Sequence, residues 1–260
     1  MTDHVTPGDG RGAWAAIDAI VDRMTSDLAT LQRDNDARRF FHATYLRTTQ
    51  AVADELDRGG FVDGEWVQRW DVAFAQLYLD ALGADRRGDP VSGPWRVAFD
   101  TARTRPELPP LRHVLFGINA HINYDLPQAL LAVITSADFD DAETVRRREV
   151  DHRRVDIVLQ SRVGAEDDEL GAVSKVTLLD RLLRPANRAA SRRFLTEARE
   201  KVWRNAVALD RARREGDVAY GRVLAELESR CAARVRDLTS PGPVLLTLAR
   251  RGFGVLVTDA

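Results

Sequence analysis

Phe116-Gly-Ile-Asn-Ala-His-Ile-Asn-Tyr-Asp-Leu-Pro127 is the stretch on which the fold turns. At about 100° per residue, Val114, Ile118 and Ile122 make one apolar stripe of a helix. His121 and Asp125, four residues apart, fall on that same stripe, and Asn119 and Asn123 lie at or beyond its edge. A helix that turns a His/Asp pair toward its apolar side belongs largely to the interior. A buried polar group without a partner costs about 1–3 kcal/mol, and an unpaired charge costs more. Neighbours, a ligand or a metal must therefore satisfy the pair.

Helical spacing recurs on both sides of this stretch. Upstream it covers Trp14–Leu31, Asp36–Leu56 up to Gly59-Gly60, and the aromatic-rich Glu65–Leu82 up to Gly83. A shorter helix at Trp95–Thr101 follows Asp89-Pro90 and Gly93-Pro94. Pro106, Pro109 and Pro110 then interrupt the chain before a central helix from about Arg112 to Ile134, which Pro127 bends or locally breaks. Downstream lie Asp141–Gln160 and Leu170–Leu183, a break at Arg184-Pro185, then Ala186–Glu215 and Val218–Leu238. Only Val244–Leu248 and Gly254–Thr258 look like strands, within an apolar tail that could dock on this chain or on a partner. The expectation is an all-α fold, a single-domain multi-helix bundle around a central buried polar helix. Residues 1–12 read as a flexible leader and 13–260 as the domain.

Charge is balanced, with 38 basic and 40 acidic residues and a net charge of −2, so no global field favours nucleic acid or an anionic membrane. A small-molecule substrate is the partner this leaves, with no oligomeric state indicated. Only Lys175 and Lys201 of the basic residues are lysines. The lone Cys231 excludes an internal disulfide framework and a multi-Cys zinc knuckle. No basic-then-apolar leader and no apolar run of 18 residues is present, which points to a cytoplasmic protein. There is no G-x-G-x-x-G after a strand, no Walker A run and no G-x-S-x-G elbow. The Arg-rich segment 181–214 interleaves Glu197, Glu200 and Asp210 and reads as a solvated helix.

His121 and Asp125 admit three readings. Imidazole and carboxylate one turn apart can ligate one divalent metal such as zinc, iron or manganese. Without metal they form a dyad whose carboxylate orients the imidazole as a general base. They can also simply tie the helix to a neighbour. A second His-x3-Asp, His152 and Asp156, sits in an arginine-crowded helix and could complete a metal sphere or pair with solvent. His42, between Phe41 and Tyr45, is either a satisfied core histidine or part of a polar line facing a pocket. Asp71 lies on an apolar helix side with Phe74 and Tyr78, as an acidic partner for the central helix or as half of a buried ion pair. His113 fits a helix start.

The run from Gly117 to Pro127 resembles the signature of an uncharacterised domain-of-unknown-function family common in actinomycetes, Gly-x-Asn-Ala-His-Ile-Asn-x-Asp-Leu-Pro. The segments from Trp70 to Tyr78 and from Lys201 to Ala206 look like its weaker motifs. That resemblance implies a bacterial origin and an important central site, and it brings no activity. His121 and Asp125 are also similar to the zinc-binding helix of the all-α phospholipases C and single-strand nucleases, although no histidine closely follows Asp125 and no His-x3-Glu comes later.

The functional expectation is a small-molecule enzyme with a buried His/Asp/Asn pocket. His121, Asp125, Asn119, Asn123, His42 and Asp71 are the candidate catalytic residues, and His121 and Asp125 the candidate metal ligands. One version is a metal-dependent hydrolase of an ester or phosphoester. Another is a metal-free helical cyclase or lyase acting on a small apolar, natural-product-like substrate within an aromatic cavity of Trp70, Phe74, Tyr78 and Phe116. The third is a non-catalytic protein whose polar cluster is a structural network.

Overall fold

Trp66, Trp70, Phe74 and Tyr78, each four residues from the next, form an aromatic ladder down one side of a long helix, and all four are buried. In the computed structural model, which describes residues 14–173, 178–240, 242 and 252–258, that helix is α3, Gly64–Arg87. Side chains are described throughout these residues except at 156 and 159–196. The Asp63 carboxylate caps the start of α3 by accepting from the Trp66 N–H, and Gly88 ends it with a left-handed φ of 77°. Before it come α1, Ala15–Arg33, and α2, Arg39–Asp57. After it comes α4, Gly93–Thr104, with a proline in its first turn.

The central helix is built in three parts. These are α5, Pro110–Ala120; a π turn, His121–Asp125; and α6, Leu126–Val133. From His113 to Pro127 every residue except Ile118 is buried. Helix α5 packs on α2, α4 and α10, the π turn on α3, α9 and α10, and α6 on α3 and α9. The apolar-stripe reading therefore understates the burial. Helices cover this segment all round, and Asn119 and Asn123 are as enclosed as His121 and Asp125.

Pro127 explains the π turn. It has no N–H to give, and its ring would clash with the carbonyl four residues back in an ordinary α-helix. The chain widens instead, and the Leu126 N–H bonds to the His121 carbonyl five residues earlier. In the wider turn, side chains four apart lie almost directly above one another. His121 is thereby set over Asp125.

The remaining helices are α7, Ser136–Asp140; α8, Ala142–Val173; α9, Leu178–Glu215; and α10, Asp217–Thr239. Helix α7 has no counterpart in the sequence reading, being too short for periodicity; Thr135 and Asp138 hold it by a reciprocal capping box. The expected break at Arg184-Pro185 is absent, because α9 runs through it. One backbone bond lost near the start of a long helix is offset where its later part packs on α6 and α10. Of the stretch 170–183, residues 170–173 close α8 and 178–183 open α9, while 174–177 lie outside the described residues. The last turn of α9 is no open basic face. Asp210, itself buried, accepts from Ser136, Arg213 and Arg214, while Arg213 donates to the Leu131 and Ile134 carbonyls that end α6.

The fold is a single all-α domain, and the described residues contain no strand. Gly254–Thr258 is an irregular strap laid on the protein's own helices. Phe253, Val255 and Val257 are buried beneath it. The Asn205 amide spans the strap, donating to the Val255 carbonyl at 2.9 Å and accepting from the Val257 N–H at 3.1 Å. Residues 1–12, the run 244–248 and the Asp156 side chain lie outside the described residues. No helix among the described residues is long and apolar enough to cross a membrane.

Candidate active site

The π turn delivers His121 into a cage of aromatic rings. Its imidazole stacks flat on Phe74, centroids 3.6 Å apart and planes within 5°, and meets the Tyr45 ring at 4.4 Å. Phe41, Tyr78 and Trp95 stand 5.9–6.0 Å away. Helices α2, α3 and α4 thus contribute all five rings. His121 Nδ1 lies 2.8 Å from Asp125 Oδ2, and the same oxygen accepts from the Trp95 indole N–H, also at 2.8 Å. With Nδ1 donating to the carboxylate, Nε2 carries the ring's lone pair, and it has no hydrogen-bond partner.

Burial dominates the electrostatics here. It pushes the His121 pKa down, against the pull of Asp125, and so keeps the imidazole uncharged. It pushes the Asp125 carboxyl up, against the donors on His121 and Trp95. The Tyr45 hydroxyl has no partner in bonding geometry; Thr49 lies beside it and lowers its pKa a little, but donates its own hydroxyl to the Tyr45 carbonyl. Burial and the nearby Asp71 and Asp125 charges raise the phenol well above its ordinary value, so it stays protonated. Asp71 lies next along α3, its Oδ2 buried without a partner, and burial lifts its pKa to about 7 against the influence of Arg199.

Beyond Asp71 is a second polar cluster. Arg199 lies over the Trp70 ring and donates to the His152 carbonyl, and the His152 ring sits between Trp70 and Trp203. Burial and the charges of Arg199 and Arg153 hold the His152 pKa well below normal. No ring contact joins His152 to His121. Asp151, the residue before it, acts locally. Its two oxygens accept from the Val62 and Asp63 N–H groups and fasten the loop into α3.

The six residues singled out from sequence separate into three groups. His121 and Asp125 form the dyad, and Asp71 lies near enough to Tyr45 for its charge to act on the phenol. His42 lies behind the cage wall. Its Nε2 donates to the Met24 carbonyl at 2.8 Å, which leaves Nδ1 to accept from the Tyr78 hydroxyl at 2.8 Å and thereby fixes that ring. Asn119 and Asn123 face the strap. Asn119 donates to the Leu115 carbonyl, and Asn123 donates to Asn119 and to the Phe253 carbonyl. Of the four aromatics named for a cavity, Phe74 and Tyr78 contact His121, Trp70 belongs with His152, and Phe116 packs edge-on against His113. Tyr45, from the polar line expected beside His42, and Trp95, which was unforeseen, complete the site. Tyr45 sits three residues after His42, whereas nothing in the sequence marks an indole thirty residues ahead of Asp125 as its donor.

As a metal centre, the donor set is short. His121 and Asp125 are bonded to each other, and among the described residues no group of three His, Cys, Asp or Glu side chains is placed to hold an ion. As an acid–base centre it has an oriented imidazole with a bare nitrogen, a neutral phenol and a carboxyl poised near neutrality, all shielded from water.

Residues 17–241 match the profile of a family of unknown function, a span that includes the dyad, its cage and Asp71. No curated protein matches the chain, and neither does any solved structure.

Proposed function

Since the chain belongs to that family, DUF5995, no relative's chemistry constrains the site, and we propose that it is a metal-free acid–base enzyme of the lyase, isomerase or cyclase kind. Its substrate is a small, uncharged, largely apolar molecule. His121 Nε2 takes a proton from the substrate, Asp125 steadies the imidazolium that forms, and Trp95 holds Asp125 in line. Tyr45 donates to the substrate oxygen on which charge develops. His121 then returns its proton to the rearranged substrate or its leaving group, and Asp71 acts on the phenol only through its charge.

One observation carries this reading: His121 Nε2, Tyr45 Oη and Asp71 Oδ2 are all buried and all without a partner. A structural network saturates its members, because each orphaned atom costs about 1–3 kcal/mol. Orphaned atoms on the dyad and on side chains of the two helices packed beside it are what a substrate would satisfy.

The test combines turnover with stability. Uncharged cyclic ketones are incubated with the protein in deuterium oxide, and deuterium uptake beside the carbonyl is followed by mass spectrometry. The proposal expects uptake above buffer that His121→Gln abolishes. It also expects the double variant His121→Leu/Asp125→Leu to remain folded at no large cost. A loss beyond about 4 kcal/mol in that double variant, a cost typical of breaking a structural core network, would falsify the catalytic reading.

A further inference from the structure

We propose that the half-open cleft bounded by α2, α4 and α5 is a binding subsite for an uncharged, flat-ringed ligand bearing a hydroxyl or carbonyl group, held at its polar end by His113 and admitted to His121 past Phe41. The His113 half of this stands alone. The link to His121 rests on the acid–base reading above.

His113 lines the cleft and is only 4% exposed, yet neither ring nitrogen has a hydrogen-bond partner. The Pro106 carbonyl lies close enough to favour its charged form without meeting bonding geometry, and burial outweighs it, so the imidazole stays neutral. A neutral imidazole offers one donor and one acceptor, the complement of a hydroxyl or a hydrated carbonyl. The charge of the ligand follows from Arg38 at the cleft's edge. Its guanidinium is already bound by Asp36 and Asp85, and Arg103 also holds Asp85, so the charges at the cleft's edge balance and favour neither an anion nor a cation. The walls call for a flat apolar body, because Phe41, Tyr78 and Trp95 line the cleft with their rings.

Those three rings are also the ones that stand 5.9–6.0 Å from His121, so cleft and dyad share a wall. Two of them are pinned, Tyr78 by its bond to His42 and Trp95 by its bond to Asp125. Phe41 has no such tether. The cleft measures about 20 Å³, room for about one water molecule, so a ring must displace a wall to enter. Phe41 is the wall that can yield, and its movement joins the cleft to the cage.

Phenol is the probe. Protein with ¹⁵N-labelled histidines is titrated with millimolar phenol while the ring signals of His113 and His121 are followed. In the native protein the His113 signals should shift saturably. Ala102→Leu, which fills the cleft without touching the dyad, should weaken binding at least about tenfold. In Phe41→Ala binding should tighten and the shift spread to His121. His113 signals that stay still, or move equally in Ala102→Leu, overturn the subsite, as does a crystal soaked in phenol that shows only a water on His113. An unmoved His121 in Phe41→Ala overturns the gate. Phenol binding alongside a silent deuterium-uptake assay would sink the acid–base reading and leave the subsite standing.

Discussion

The indole N–H of Trp95 and the imidazole of His121 meet on one oxygen, Asp125 Oδ2, each at 2.8 Å. Trp95 is thus both a wall of the cage and the anchor of its carboxylate. Trp95→Phe keeps the ring and removes the donor, and a hydrogen bond to a charged group is worth about 1.5–3 kcal/mol. We expect a loss of that order in urea unfolding, with Asp125 titrating higher still. Unchanged stability would mean that the indole does not serve the carboxylate.

Four histidines, His42, His113, His121 and His152, are held below their ordinary pKa, each chiefly by burial. An ordinary histidine is half protonated near pH 6.5, whereas these four should keep neutral-ring nitrogen signals to lower pH. The thermodynamic sign follows. The unfolded chain takes up protons near pH 6.5 and the folded one does not, so the histidines' contribution is whole above that value and is lost as pH falls toward their folded pKa values. Ring signals that turn cationic at or above pH 6.5 would contradict the burial of these rings.

Asp71 works in the opposite direction. Its folded pKa of about 7 lies above the unfolded value, so ionisation burdens the folded state increasingly as pH rises toward 7. Asp71→Asn should therefore stabilise the protein more at pH 8 than at pH 5, the difference being of order 2 kcal/mol. Denaturant midpoints of the two proteins at both pH values check it. An equal effect at the two would show the carboxyl to be ordinary.

Asn205 holds the strap by both ends of its amide, and Asn123 by one. Asn205→Ala leaves the Val255 carbonyl and the Val257 N–H unpartnered, at a cost of about 2 kcal/mol or more. Limited proteolysis should then cut within residues 252–258 while the helices survive. A strap that resists cleavage in the variant is held by its buried apolar side chains alone.

The fold was legible wherever apolar residues recur at helical spacing, although α3 runs through Gly83, the stop expected for it, and ends only at Gly88. The ladder Trp66, Trp70, Phe74, Tyr78 and the central helix are such cases. Helix α7 was invisible because one capped turn has no period. Pro185 misled because a proline's local cost says nothing about the packing of a helix further on. Within the site, His121 and Asp125 were legible because two polar residues stood where an apolar stripe was due. Asn119 and Asn123 carried the same signal but answer to the strap, more than a hundred residues away in sequence. The roles of Trp95 and Tyr45 depend on which helices become neighbours, information that no single helix contains.

The turn from His121 to Asp125 holds one residue more than an α-helix needs, so it behaves as an insertion that the rest of the chain has absorbed. Deleting a single residue there would close the bulge, press the Pro127 ring onto the carbonyl four residues back and move the imidazole off its carboxylate. Leu126, Ala129 and Leu130 would still fill their faces against α3 and α9, because the extra residue is absorbed within its own turn. Substitutions can alter the chemistry of this segment one side chain at a time, but its length answers to the proline that follows it.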